Sequence, residues 1–116
     1  MRNDTAKALE ESCPVDETIS IISGKWKASI LFHVCKGPHR FNALRRLMPK
    51  VTQKMLTQHL RELERDGIIL RDVHAQVPPH VEYSLTQKGE TLVPILLAMA
   101  EWGHQHRTSS ESSSDV

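Results

Sequence analysis

The sequence has few aromatic residues, few cysteines and no long apolar run, and each shortage excludes a class of protein. With two Phe, two Trp and one Tyr in 116 residues, the core must be built from aliphatic side chains. Cys13 and Cys35 are too few for a disulfide scaffold. No stretch reaches the ~18 apolar residues of a membrane span, and Arg2, Asn3 and Asp4 lead into no signal peptide. We therefore expect one cytoplasmic domain with reduced thiols and no membrane partner.

Acidic residues are missing from one long stretch, although the chain is nearly neutral as a whole. The formal net charge is only +1, so the molecule is not a polycation. Residues 25–54 nevertheless contain several Lys and Arg and no Asp or Glu. A local excess of positive charge is typical of a surface that contacts nucleic acid. It counts against a module that binds only protein, because a protein partner would not require such charge.

Motifs of the common enzyme classes are also missing. The chain has no P-loop, GxGxxG, GxSxG or HExxH motif. His33 and Cys35 are two positions apart and would point to different sides of a helix, while His39 lies beyond the break that follows. His104 and His106 are likewise two positions apart and lie where the chain is expected to fray. We therefore expect no enzyme, no metal site and no cofactor, since no set of four ligands is visible.

Residues 52–66 are predicted to form an amphipathic helix with a polar face suited to DNA. Leu56, Leu60 and Leu63 recur at i, i+4 and i+7, which predicts one buried stripe. The opposite face carries no acid, and its side chains can bond to base edges and phosphates in a major groove. An ordinary solvated helix face would share this pattern. The face comprises Gln53, Lys54, Thr57, Gln58 and Arg61.

A short helix is predicted over residues 40–48, directly before this one. Asn42 is its expected cap, and Leu44 and Leu47 are expected to point inward. The connection at residues 49–51 is so short that the two helices must cross steeply, as in a helix-turn-helix unit. The basic residues expected to hold the DNA backbone from this helix and turn are Arg45, Arg46 and Lys50.

The spacing of apolar residues changes from helical to alternating after the helix of residues 52–66, the predicted recognition helix. Thr52 is predicted to cap that helix and Gly67 to end it. Residues 68–75 and 80–85 then alternate as strands, and the paired prolines between them predict a turn. A hairpin at this place is the wing of a winged helix-turn-helix. The fold class is therefore mainly α with a small β-hairpin (α+β), and Thr52 and, from the wing, His80 join the expected DNA contacts.

The first and last helices of the domain are predicted to form a dimer interface. A helix beginning at Pro14 and ending before Gly24 buries one apolar face, and a second helix follows over residues 25–36. The last helix, from Thr86 to about Gly103, is apolar nearly all round, which a small domain cannot cover alone. The residues predicted to meet the second subunit are Val15, Ile19, Ile22, Leu92, Ile95, Leu96, Met99 and Trp102.

Three units follow from these patterns. Residues 1–12 are a polar N-terminal arm, residues 13–104 are the winged helix-turn-helix domain, and residues 105–116 are a Ser-rich tail expected to be disordered.

The segments CPV, GKWK, RFNALRR, TQKMLTQHLRELERDG and VPPHVEYSLTQKG, in this order, resemble the HxlR family of bacterial transcription regulators. The resemblance covers residues 13–104. It implies a dimeric winged-helix protein that binds double-stranded DNA, usually as a repressor and sometimes as an activator. It also implies dimer contacts through the first and last helices and a wing in the flanking minor groove. Where the family often has Arg after the two prolines, this chain has His80, a weaker phosphate partner when neutral.

The resemblance further implies that Cys13 stands where some members sense oxidants or electrophiles. The start of a helix favours a thiolate, although Asp16 and Glu17 oppose that effect. Cys13 could equally be a small apolar group at a helix start, with a small-molecule inducer controlling the protein. Cys35 is expected to be a buried core thiol.

Overall fold

The computed structural model describes residues 13–115, and their side chains as far as residue 107. The arm predicted for residues 1–12 lies outside the described residues. The structure is mainly helical with one small antiparallel sheet, which confirms the predicted fold class. In chain order the elements are α1 Pro14–Ile22, α2 Lys27–Val34, β1 His39–Arg40, α3 Phe41–Leu47, α4 Gln53–Arg65, β2 Ile69–His74, β3 His80–Leu85, α5 Gln87–Glu90 and α6 Val93–Asp115.

The core is aliphatic, as the shortage of aromatic residues predicts. It lies where α2, α3 and α4 meet the first residues of the sheet. The predicted stripe on α4 is confirmed, since Leu56, Leu60 and Leu63 are all buried. The other residues at the centre of the core are Ile30, Leu31, Val34, Leu44, Ile68 and Ile69.

Both predicted ends of α4 are confirmed. The Thr52 hydroxyl accepts a hydrogen bond from the Met55 backbone N–H at 3.1 Å, which satisfies one of the free N–H groups of the first turn. After the helix, Gly67 adopts φ +77°, a conformation that side chains rarely tolerate. Val51, directly before the cap, is buried. The start and the direction of α4 are therefore fixed by local interactions.

The short helix α3 differs from its prediction in two respects. Arg40, in an extended conformation, occupies the N-cap position that we expected for Asn42. The reason is that β1 pairs with β3 and keeps the chain extended up to Arg40. Leu44 is buried as predicted, but Leu47 is 49% exposed. This helix has only seven residues, about two turns, and Leu44 is the one that the core buries.

The sheet has three strands in the order β1-β3-β2, one more than the predicted hairpin. The missed strand, β1, has two residues, which is too short to show an alternating pattern. In the hairpin, His74 pairs with His80 and Ile69 with Leu85. Burial does not alternate along β2: Ile69 is buried, whereas Leu70 and Val73 are both exposed. The hairpin thus contacts the core at its base and projects beyond it.

The last predicted helix is in fact two helices, and its expected end is wrong. Thr86 caps the short α5, where its hydroxyl accepts from the Gly89 N–H at 2.9 Å. Pro94 prevents a continuous helix, because its nitrogen has no hydrogen to donate to the carbonyl four residues earlier and its ring clashes with that carbonyl. Gly103 has no positive φ and does not end α6, whose backbone stays helical to Asp115. The domain boundary at residue 104 and the disordered tail from residue 105 stay predictions.

None of the helices in the described part of the chain has the length and hydropathy that crossing a bilayer requires.

Candidate nucleic-acid interface

The polar face of α4 is a continuous, open surface in the structure. Its side chains line one shallow depression of about 560 Å³, on the side of the helix away from the buried leucines. All of them are exposed except Thr57, which is half-buried. The structure therefore brings together the set predicted from sequence, namely Gln53, Lys54, Thr57, Gln58 and Arg61.

A second basic surface lies on α3 and the turn after it. Arg45 and Arg46 are exposed in the last turn of α3, where the helix dipole favours positive charge. With Asn42, Pro49 and Val51 they line a depression of about 430 Å³. Lys50 is exposed in the turn between α3 and α4. Thr52 is exposed too, but its hydroxyl already serves as the cap of α4.

A cleft of about 540 Å³ separates α4 from the wing. Arg61 of α4 and Arg71 of β2 both line it, and both are exposed. Glu64 lines the same cleft and brings a negative charge to it. Arg71 is a candidate DNA contact that the sequence analysis missed, because one Arg in an alternating strand is typical of a solvated face. The available signal was a cation two residues into the strand after the recognition helix.

His80, the expected contact from the wing, is held by its own neighbours. Its ring stacks on that of His74 with centroids 4.5 Å apart. Its Nδ1 lies 3.1 Å from Nε2 of Gln76, and its Nε2 lies 3.8 Å from a carboxylate oxygen of Glu82. The side chain is 14% exposed. The structure therefore places His80 within the hairpin rather than as a projecting side chain.

An ion pair behind the polar face ties α4 to α2. Lys27 Nζ lies 2.7 Å from Glu62 Oε1, and Lys27 is the one charged residue among the buried ones that the structure describes. Gln58 Nε2 donates to the other Glu62 oxygen at 3.4 Å. The hydrogen bond from Lys27 first, and then that from Gln58, lowers the pKa of Glu62 to about 2. Glu62 is therefore ionised in the folded protein at neutral pH and holds both partners.

The two cysteines are free thiols in different settings. Cys13 is the N-cap residue of α1 and is half-buried. Cys35 follows α2, and its Sγ donates to the Phe32 carbonyl at 3.0 Å. Cys35 is half-buried rather than buried, which corrects the expectation of a core thiol, because the end of α2 lies at the edge of the core.

The residues predicted to form the dimer interface fall into two groups. Ile22, Leu92 and Leu96 are buried in the core of their own protomer, so they have little surface left for a partner. The remaining residues are exposed in the single chain. The exposed group is Val15, Ile19, Ile95, Met99 and Trp102, with Val15 at 63% and Trp102 at 65% exposure.

Comparison with known proteins identifies the family. Residues 21–111 match the family model described as HxlR-like helix-turn-helix. The chain is 57% identical over 97 residues to YdeP, an uncharacterized HTH-type transcriptional regulator of Bacillus subtilis (strain 168), covering 84% of this chain and 76% of YdeP. The redox regulator HypR in its reduced form superposes with a TM-score of 0.80 at 55% identity, covering 85% of this chain and 98% of HypR. Its oxidised form gives a TM-score of 0.78 at 56% identity, covering 80% and 96%. The chain therefore belongs to the HxlR family of helix-turn-helix, DNA-binding transcription regulators.

Proposed function

We propose that the protein is a homodimeric repressor that binds a pseudo-palindromic operator and releases it when Cys13 is oxidised or modified by an electrophile. The observation that carries the DNA-binding part is the open, acid-free face of α4 beside the basic end of α3. Side chains on α4 would read base edges, and Arg45, Arg46 and Lys50 would hold phosphates. A dimer would place two such helices about 34 Å apart, which is one turn of DNA.

The dimer rests on the exposed apolar side chains of α1 and α6. Val15 and Ile19 on α1, and Ile95, Met99 and Trp102 on α6, are large and exposed in the single chain. Large apolar side chains that are exposed together commonly mark a protein interface. Coverage by a second subunit would remove it from water and would set the spacing of the two recognition helices.

The redox part rests on the place of Cys13. The half-buried thiol begins α1, next to the apolar side chains that a second subunit would cover. A disulfide between subunits, or a bulky group on the sulfur, would change how two α1 helices pack. In forming a disulfide, two thiols lose two protons and two electrons to the oxidant. Similarity to HypR, a redox regulator with reduced and oxidised structures, supports this assignment.

A gel-shift titration with the DNA upstream of the protein's own gene tests the proposal. Reduced protein should bind with a steep salt dependence, since phosphate contacts release counterions. Diamide should abolish binding by the wild type and by Cys35→Ser, a matched control, and thiol should restore it. Cys13→Ser should stay bound to the DNA after diamide.

A reporter assay tests the repressor role separately. A reporter driven by the bound promoter should become more active when the gene that encodes this protein is deleted.

Two results would contradict parts of the proposal. If Cys13→Ser releases DNA on diamide as the wild type does, Cys13 is not the sensor. If neither the upstream region nor a genome-wide selection yields a salt-sensitive site, the protein is not a DNA binder. A winged-helix module that contacts other proteins would then be the better description.

A second function is favoured by an apolar cavity between α2 and α6. Its volume is about 290 Å³, close to the lower end of small-molecule sites, roughly 300 Å³. Burial first, and then nearby Lys36 and His39, lowers the pKa of His33 in its wall, which favours the neutral imidazole. A small, mainly apolar inducer would suit it, with Cys13 then structural. DNA release by such a compound from Cys13→Ser protein would support this alternative. The lining residues are Ala28, Ser29, Phe32, His33, Leu96, Met99 and Ala100.

A further inference from the structure

Four side chains that can bind metal ions lie on one face of the wing hairpin. Asp72 pairs across the strands with Glu82, and His74 pairs with His80. Residues paired directly in an antiparallel hairpin share a face, and so do positions two apart on one strand. The register therefore collects two imidazoles and two carboxylates at the end of the hairpin, on either side of loop 75–79.

The distances within this cluster are short. His74 Nε2 lies 2.9 Å from Glu82 Oε1 and 3.4 Å from Asp72 Oδ2. One ligand atom each from His74, His80 and Glu82 lies within 4.8 Å of the others. These three side chains are partly buried, whereas Asp72 is 55% exposed. The cluster is thus compact and open to solvent on its Asp72 side.

We propose that His74, His80 and Glu82 bind a divalent transition-metal ion, with Zn²⁺ the best match and Asp72 placed to supply a fourth ligand. Imidazole nitrogen and carboxylate oxygen are usual zinc ligands, including sets of two His and one Glu. Imidazole ligands favour zinc and its neighbours over Mg²⁺ or Ca²⁺. Tetrahedral ligands about 2.1 Å from the ion stand about 3.4 Å apart. The two ligand atoms that lie farthest apart must therefore approach by roughly 1.4 Å. A change of rotamer, or a small rotation within one rotamer, allows this movement at partly exposed positions.

The simpler explanation is a hydrogen-bonded cluster that needs no ion. His74 already bonds to Glu82, and His80 to Gln76. In addition, Arg40 of β1 is the register partner of Glu82, so the sheet brings a cation of the protein next to the cluster. An ion would differ from this cluster by joining both imidazoles to one centre. It would fix the end of β2 to the start of β3 and close loop 75–79 at its base.

Titration of the full chain with ZnCl₂, in a buffer that does not bind metal, tests the site by calorimetry. We expect one equivalent to bind. His80→Gln and Glu82→Gln should each weaken binding at least about tenfold, since even partners outside the ligand shell are worth roughly 10–100-fold. His104→Gln, an exposed histidine on α6, is the matched control and should bind like the wild type. Zinc should raise the melting temperature of the wild type and of this control more than that of either cluster variant.

Cobalt identifies the ligands independently of affinity. Bound Co²⁺ should show visible d–d bands without a thiolate charge-transfer band, because no cysteine belongs to the cluster.

The proposal is overturned if no equivalent of zinc binds, or if both cluster variants bind as the wild type does. It is also overturned if a thiolate band appears and is lost in Cys13→Ser or Cys35→Ser. Glu82→Gln preserves side-chain shape, and circular dichroism checks that each variant is folded. These outcomes do not depend on whether the protein binds DNA.

Discussion

At the scale of single residues, Glu62 links the recognition helix to the body of the domain. It sits on α4, one turn from Gln58, and accepts from buried Lys27 on α2. Removing one partner of such a pair leaves the other charge without compensation, and Lys27 is the more buried of the two. Glu62 therefore positions α4, although it lies outside the face that meets solvent.

We predict that Glu62→Gln lowers stability at neutral pH, with a smaller urea midpoint than the wild type. The folded-state pKa of about 2 lies below the ordinary value of 4.5, so the ionised form is favoured by folding. Its contribution is complete above pH 4.5 and is lost as pH falls toward about 2. The difference between the two proteins should therefore shrink over that interval. Glu64→Gln, exposed on the same helix, is the control, and a difference independent of pH would contradict the assignment.

Gly89 occupies a position where the packing leaves no room for a side chain. A Cβ at this position would collide with the Ile68 carbonyl oxygen, where α5 packs against the start of the sheet. The Thr86 hydroxyl bridges the same place by donating to the Gly67 carbonyl at 2.6 Å. The close approach of α5 to residues 67–68 thus requires glycine.

Gly89→Ala should destabilise the protein by about 1–3 kcal/mol, the usual cost of forcing an extra group into a packed place. Gly103→Ala is the matched control. Its Cβ would meet nothing within 4 Å, and it lies in a helix. This control should gain about 0.5–1 kcal/mol from reduced backbone entropy. Urea unfolding measures both, and equal effects of the two substitutions would refute the close-packing argument.

At the scale of elements, α4 has two faces with separate tasks. The leucine stripe packs into the core, while the polar face stays open. Both faces follow from the 3.6-residue period, so the sequence was sufficient to predict them. The same holds for the Thr52 cap and Gly67, which act through neighbours three or four residues away. By contrast, β1 could not be predicted, because it exists only through its pairing with β3. The break before α6 was missed although Pro94, a local signal, marks it.

Lys54→Ala and Arg61→Ala should each weaken operator binding and reduce the slope of log affinity against log salt by about 1, if each side chain holds a phosphate. Loss of affinity confined to one base pair of the operator would instead indicate base readout. Lys36→Ala removes a cation that lines none of the three depressions at the interface and should bind like the wild type. Unchanged affinity in both test variants would refute the role of α4.

At the scale of the whole molecule, the described residues expose a set of large apolar side chains on α1 and α6 of the single chain. Sequence patterns marked these helices as apolar but could not say which residues face the core. The structure buries Ile22, Leu92 and Leu96 in the core of the protomer. What remains outside is the set on which the proposed dimer depends.

Ile19→Glu and Met99→Glu should shift the protein from dimer to monomer in sedimentation at micromolar concentration, because each would bury an unpaired charge in the interface. Val77→Glu is the control, since Val77 is 99% exposed in the wing loop. It should leave the oligomeric state unchanged. Dimers that persist in both test variants would place the interface elsewhere.

The sequence by itself determined the features that depend on near neighbours. These are the helical period and caps of α4, the basic segment before it, the hairpin after it and the ordered motifs that mark the family. The tertiary structure decided which residues from distant parts of the chain come together. It paired Lys27 with Glu62, set Arg71 opposite Arg61, and brought His74, His80 and Glu82 to one face. The physical reason is that strand register and helix packing are set by the whole core, and a local pattern does not contain them.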